Sequence, residues 1–349
     1  MPGLEIYNSS AFPIYEIRRE NGGVDLRAQI ASGLSLKSPS LPELLLWDEK
    51  GLRLFDTFAR RDAYYLLDKE FEILEDNLPE LTATIPSGSV LVELGCGSLQ
   101  KTARILESLE KQRKSVRYYA LDVSLPGLTN CLAGLTTNRL RDFRFISVTG
   151  LCGTYRDCIA WLSEQPDLGD ATVSTVTLLW MGNSISNFSH YKEASTMLSE
   201  FKQACEMSGL RCQYLVAADG CEDQQRIMDA YDTSSPHLQA FMLNGLCQAN
   251  TVLGREAFNL EDWSCEAEFS PRQQCLDVYY VPLRDVQVDL HGEGESSHFR
   301  CGQRIKAISS GKWTKTLVAK MASLADFQLN RIWGDRSGVY YFYHLTSAV

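Results

Sequence analysis

Ser89-Val90-Leu91-Val92-Glu93-Leu94-Gly95-Cys96-Gly97 decides how this 349-residue chain folds. The first six residues read as a buried strand, and the two glycines read as a sharp strand-to-helix turn. The helix then runs from Leu99 to Lys111. Glycine leaves the backbone bare at such a turn, so a ligand can approach where a side chain would block it. The pattern Glu-x-Gly-x-Gly is not the Gly-x-Gly-x-x-Gly fingerprint of dinucleotide folds. On its own it weighs no more than a tight turn.

The same alternation spreads outward. Val116–Leu121, Phe143–Val148, Ser174–Trp180 and Gln213–Ala218 read as strands. Leu125–Leu135, Tyr155–Glu164 and His190–Met207 read as the helices between them. Strands separated by helices imply a parallel sheet with right-handed crossovers. Ligands of such sheets lie outside the carboxyl ends of the strands. Four strand tips therefore matter: the Gly95–Gly97 turn, Asp122, Thr149-Gly150-Leu151, and the run from Gly182 to Asn187. Asp122 is placed to accept both hydroxyls of a ribose, although an acid there also serves as a helix cap. Asn187 suits an amine or a carboxylate, or a plain loop cap.

The flanks read differently. Residues 1–40 carry Ser-Pro punctuation and read as a loop and a helix wrapping the body. Residues 44–78 read as helices with an apolar stripe at Leu44, Leu45, Trp47, Leu52, Leu54 and Phe55. Past Asp219 come the helices Gln225–Tyr231 and Leu238–Leu246, then antiparallel strands at Leu276–Pro282 and Val286–Leu290. The chain closes with helix Thr314–Leu324 and a hairpin of Phe327–Trp333 and Val339–Leu345. The fold class is α/β: a mostly parallel sheet with a C-terminal antiparallel hairpin, plus a smaller α+β lobe. Residues 1–66, 88–218 and 311–349 are expected to form the first domain, and 67–87 with 219–310 the second.

Composition narrows the partners. A formal net charge of −10 argues against nucleic acid or an anionic membrane, which need a basic face. The eleven cysteines include no C-x-x-C pair and none at ligand spacing with the five histidines. They read as reduced, buried thiols of a cytoplasmic protein that holds no metal. The N-terminus lacks the pattern of a signal peptide, and the longest apolar run, Val176–Met181, is far short of a membrane span. A small-molecule partner is expected, with monomer and homodimer both open.

Six stretches then match a known pattern in order and spacing. They are Trp47 to Phe55, Ala63 to Tyr65, Val92 to Gly97 with Lys101, Tyr119 to Pro126, Gly182 to Asn187, and Asp229 to Asp232. The chain resembles the histidine-specific, S-adenosylmethionine-dependent methyltransferase family of the ergothioneine pathway. Within it, the chain looks most like the fungal branch that methylates 4-dimethylallyltryptophan in ergot alkaloid biosynthesis. The resemblance runs from about Leu44 to the C-terminus. It implies a class I, Rossmann-like methyltransferase that uses S-adenosyl-L-methionine and releases S-adenosyl-L-homocysteine. It implies that Glu93, Gly95, Gly97, Lys101, Asp122, Gly150, Leu151 and Gly182 lie at the cofactor. Tyr64, Asn187 and Tyr231 would hold the amino and carboxylate groups of an amino acid, beneath the second lobe. Taken alone, Lys101 reads as a solvated helix lysine.

Three departures from the histidine enzymes concern the side-chain pocket. Trp47 replaces a tyrosine, Ile308 stands in place of a glutamate two residues before Ser310, and Leu151-Cys152 replaces Asp-Phe. Losing a carboxylate removes a partner for a polar ring and suits an apolar one. Methylation of the α-amino group of 4-dimethylallyl-L-tryptophan is the reading favoured. Tryptophan, histidine and other aromatic amino acids are its alternatives. Tyr64, Tyr65 and Trp180 can each offer a ring face to the sulfonium or serve as core. A regulatory module that binds cofactor without catalysis is the competing class, disfavoured by the retained substrate groups.

Overall fold

The computed structural model describes residues 6–7, 12–19, 25–137, 143–165, 175–290 and 296–347. The chain divides into two compact units. Elements are numbered in order along the whole chain.

The first unit comprises Met1–Gly22, Leu66–Cys221 and Lys312–Val349. Its sheet contains β1 (Ile6–Tyr7), β2 (Ile14–Glu16), β3 (Ser89–Leu94), β4 (Val116–Asp122), β5 (Ile146–Cys152), β6 (Thr175–Trp180), β7 (Arg211–Asp219), β13 (Phe327–Gly334) and β14 (Tyr340–Ser347). Among the described residues these nine strands lie in the order β1-β2-β5-β4-β3-β6-β7-β14-β13. From β2 to β7 every pairing is parallel. The pairings β7–β14 and β14–β13 are antiparallel, which is the closing hairpin expected from sequence. All six residues of β3 and all six of β6 are buried, as continuous apolar runs in a parallel sheet should be. The strand order reverses beside β3, and that switch point is where doubly wound sheets bind ligands.

The helices of this unit are α3 (Tyr65–Ala83, all but its first residue), α4 (Gln100–Lys111), α5 (Leu125–Thr137), α6 (Tyr155–Ser163), α7 (Tyr191–Met207) and α10 (Lys315–Leu324). The second unit comprises Gly23–Tyr65 and Glu222–Gly311. It holds α1 (Leu26–Leu34), α2 (Glu49–Ala59), α8 (Gln224–Ala230), α9 (Pro236–Leu253) and strands β8 (Trp263–Ser270), β9 (Cys275–Pro282), β10 (Val286–Asp289), β11 (Ser296–Phe299) and β12 (Ile305–Gly311). Strands β8, β9 and β12 form an antiparallel sheet in the order β12-β9-β8, and β10 pairs with β11.

Two expectations are corrected. The stretches 23–65 and 67–87 exchange units relative to the sequence reading. The α3 stretch is tied to the first unit by polar contacts: Thr82 Oγ1 lies 2.9 Å from Ser108 Oγ, and Lys114 Nζ donates to the carbonyls of Thr82 and Ile85 at 2.8 and 2.7 Å. The α2 stretch is tied to α9, because Asp48 accepts from Asn244 at 2.6 Å and Gln248 at 2.8 Å.

The second correction concerns Gly150 and Leu151. They are not a turn after the third strand but lie inside β5, which begins at Ile146 and ends at Cys152. Gly150 pairs with Ile14, and a Cβ there would come within 2.9 Å of the Ile14 and Leu132 side chains. Its glycine therefore serves packing, and Leu151 is fully buried core. Ser174, expected to open β6, lies outside the described residues.

Candidate active site

At the heart of the first unit, β3 ends in a turn built from positive φ angles. Gly95 has φ +77°, Gly97 +53° and Leu99 +56°. The left-handed region costs glycine nothing, which explains the glycine pair at this point. The turn is hooked to the next strand, since the N–H groups of Gly95 and Cys96 both donate to Leu121 O at 3.1 and 3.0 Å. Gly95 stays exposed. A Cβ on it would lie 3.5 Å from the Tyr155 hydroxyl, the nearest atom to that space.

Asp122 closes β4 directly beside this turn. Its Oδ2 accepts from Gly97 N–H at 3.4 Å and its Oδ1 from Ser124 N–H at 3.3 Å. Burial raises its pKa, and these backbone donors partly oppose the shift. A carboxylate offers about four lone-pair sites, and these long contacts leave it able to accept further hydroxyl donors. A carboxylate at the second-strand tip with free accepting capacity is compatible with a ribose diol.

Glu93 does not face this crevice. It is buried, both its oxygens accept from Thr102 Oγ1 at 2.8 Å, and its Oε2 also accepts from Tyr118 OH at 2.5 Å. Burial lifts its pKa to about 7, against the lowering effect of those hydroxyls. The motif's acid thus braces the turn from beneath. Lys101 is not a solvated lysine either: its ammonium pairs with the buried Glu70 of α3. The other Glu70 oxygen accepts the N–H of Gly182 at 2.8 Å. Gly182 opens the loop after β6 with φ +71° and is exposed. Asn187 ends the short 3-10 helix Ser184–Asn187 on that loop and is half-buried. The loop is anchored by Asn183, whose Oδ1 accepts Asp219 N–H at 2.8 Å. Asp219 forms a fully buried ion pair with Lys312 at 2.9 Å. Trp180 is wholly buried and packs edge-on against Tyr155, with centroids 5.1 Å apart, so it belongs to the core.

The second unit gathers the remaining candidates into one aromatic cluster. Trp47 lies 5.3 Å from Phe55 and 5.4 Å from Phe241. Phe55 lies 6.0 Å from Tyr64, and Tyr64 lies 4.8 Å from Phe58 and 5.6 Å from Tyr231. The Tyr231 hydroxyl is 2.9 Å from Ser310 Oγ. Ile308 precedes Ser310 by two residues on β12 and so points to the same face. Tyr65 lies under the Arg226 guanidinium at 4.6 Å.

Sequence reasoning named Gly95, Gly97, Lys101, Asp122, Gly182, Asn187, Trp47, Tyr64, Tyr231 and Ser310 as candidates. It did not name Glu70, which binds Lys101 and Gly182, or Tyr155, whose hydroxyl lies nearest the space beside Gly95. Glu70 sits inside a long amphipathic helix with no local motif, so no signal in the chain marked it. Among the described residues no group of His, Cys, Asp and Glu is arranged to hold a metal, and no helix is long and apolar enough to cross a membrane.

A bare glycine turn, a buried acid at the neighbouring tip and a lysine in the first turn of α4 fit S-adenosylmethionine, whose methionine, ribose and carboxylate they would meet. Known proteins agree. The family profile described as histidine-specific, SAM-dependent methyltransferase matches residues 26–347. N-methyltransferase benX of Aspergillus terreus is 52% identical over 99% of this chain and 95% of its own length. N-methyltransferase dtpB of Aspergillus flavus is 41% identical over 95% of this chain and 91% of its own. The 4-dimethylallyltryptophan N-methyltransferase easF of Epichloe festucae var. lolii is 32% identical over 72% of this chain and 74% of its own. The chain therefore belongs to the histidine-specific, S-adenosylmethionine-dependent methyltransferase family, as an N-methyltransferase.

Proposed function

We propose that the protein methylates the α-amino nitrogen of an aromatic amino acid with an apolar side chain, 4-dimethylallyl-L-tryptophan being the most specific form of this reading. One observation carries it. In the second unit a polar pair, Tyr231 and Ser310, borders an otherwise apolar aromatic cluster that includes Trp47, Phe55 and Phe241. Ile308 supplies no hydrogen bond to an imidazole, which disfavours histidine. Relatives bearing the 4-dimethylallyltryptophan name are less similar to this chain than benX and dtpB.

Bound S-adenosylmethionine supplies an electrophilic methyl group on a sulfonium. The chain's own work is then positional. Within the second unit, Tyr64 and Tyr231 orient the amino and carboxylate groups so that the nitrogen lone pair points at the methyl. The N–C bond forms as the S–C bond breaks, no covalent enzyme intermediate is required, and holding two reactants in line accounts for most of the acceleration. The nitrogen must be neutral, since an ammonium has no lone pair, so turnover should rise as pH approaches the amine's pKa. Substrates are a small molecule and the cofactor, without nucleic acid or membrane.

Purified protein given S-adenosylmethionine and, separately, 4-dimethylallyltryptophan, tryptophan, phenylalanine, tyrosine and histidine tests this by mass spectrometry. We expect a product heavier by one methyl on the α-nitrogen of one or more of the first four. Histidine as the best substrate would overturn the apolar-pocket reading.

A further inference from the structure

Lys101, in the first turn of α4, and Gly182, in the loop after β6, are bound by a single side chain. Glu70 lies on α3, is 1% exposed, and bridges the Lys101 ammonium and the Gly182 N–H with its two oxygens. A second buried acid, Glu93, is close enough to influence the same charges, but its oxygens are taken by Thr102 and Tyr118. Glu70 is thus the acid that fixes Lys101. An ammonium carries three donors, and Glu70 engages one of them. The Lys101 side chain remains 18% exposed. Gly182 adds a further opening, since a Cβ there would approach Lys101 Nζ to 3.4 Å.

We propose that Glu70 is a positioning residue of the cofactor site, holding the Lys101 ammonium and the Gly182 backbone in the one arrangement that receives the methionine carboxylate of S-adenosylmethionine. A buried carboxylate is costly unless it is paired and hydrogen-bonded. Here both oxygens are engaged, and both contacts lead to residues at the crevice. A long, flexible lysine loses much rotamer freedom on meeting a ligand. An acid beneath it has already removed that freedom, so binding need not. Glu70 itself does not touch the ligand and acts through Lys101 and Gly182.

The inference rests on S-adenosylmethionine as cofactor, and the test separates the two. Isothermal titration compares S-adenosylhomocysteine with 5′-methylthioadenosine, which lacks the amino-acid portion, for wild type, Glu70→Gln, Lys101→Met and the double variant. Wild-type binding of S-adenosylhomocysteine checks the cofactor. We expect Glu70→Gln to weaken S-adenosylhomocysteine by about tenfold, the size of one charge-assisted contact, while methylthioadenosine stays within about twofold. The double variant should bind S-adenosylhomocysteine no more weakly than Lys101→Met alone, within about twofold. Equal losses for both ligands would assign Glu70 a merely structural role and overturn the proposal, as would unchanged affinity for S-adenosylhomocysteine. Should Glu70→Gln not fold, Glu70→Asp keeps the charge, shortens the reach, and gives the same comparison between ligands.

Discussion

Glu93 shows that a residue's place in a motif does not fix its contacts. The family resemblance implied a place at the cofactor, and its carboxylate is bonded by Thr102 and Tyr118. Spacing along a strand does not say which face a side chain takes when both faces are buried, as on β3. Burial raises its pKa from the ordinary 4.5 to about 7. The folded protein then holds this proton more tightly than the unfolded chain. The associated stability is full below pH 4.5 and drains away as pH climbs through about 7. Glu93→Gln cannot titrate. Its melting temperature relative to wild type should therefore rise between pH 5 and pH 8, and a difference that stays constant across that range would contradict the burial argument. Asp122, in contrast, ends β4, the strand tip where the sequence reading put it.

Element by element, the Trp47-to-Phe55 motif turns out to build a helix start as well as an aromatic wall. Asp48 caps α2 by accepting Gly51 N–H at 2.8 Å, and it receives the Asn244 and Gln248 amides from α9. Gly51 is required because a Cβ would come within 1.9 Å of Leu46 O. Asp48→Ala removes a cap worth about 1 kcal/mol and orphans a buried amide at about 1–3 kcal/mol. A loss of roughly 2–4 kcal/mol is expected from urea unfolding. A loss below about 0.5 kcal/mol, the range of ordinary surface changes, would mean the α2–α9 tie is unimportant. The motif was visible in the chain. Its partners, nearly two hundred residues away, were not.

At the scale of the whole molecule, a ligand that binds only the native state stabilises it in proportion to the logarithm of its concentration. S-adenosylhomocysteine at a hundredfold its Kd should add about 2.7 kcal/mol and raise the melting temperature by roughly 4 °C. Asp122→Ala should abolish most of that shift at the same ligand concentration, and a full shift would remove the ribose role. The sequence by itself determined the parallel sheet, its closing hairpin and the glycine–acid pair, because these follow from periodicity and from local backbone conformation. It put residues 23–65 in the other unit and left open which strands, β8, β11 and β12, complete the second one, because short strands with mixed pattern are defined by their neighbours. Tertiary structure alone decided that Gly150 is a packing glycine, that Asp219 pairs with a buried Lys312, and that Glu70 holds Lys101. Each of these depends on contacts between residues far apart in the chain, and no local pattern encodes a partner that folding alone brings near.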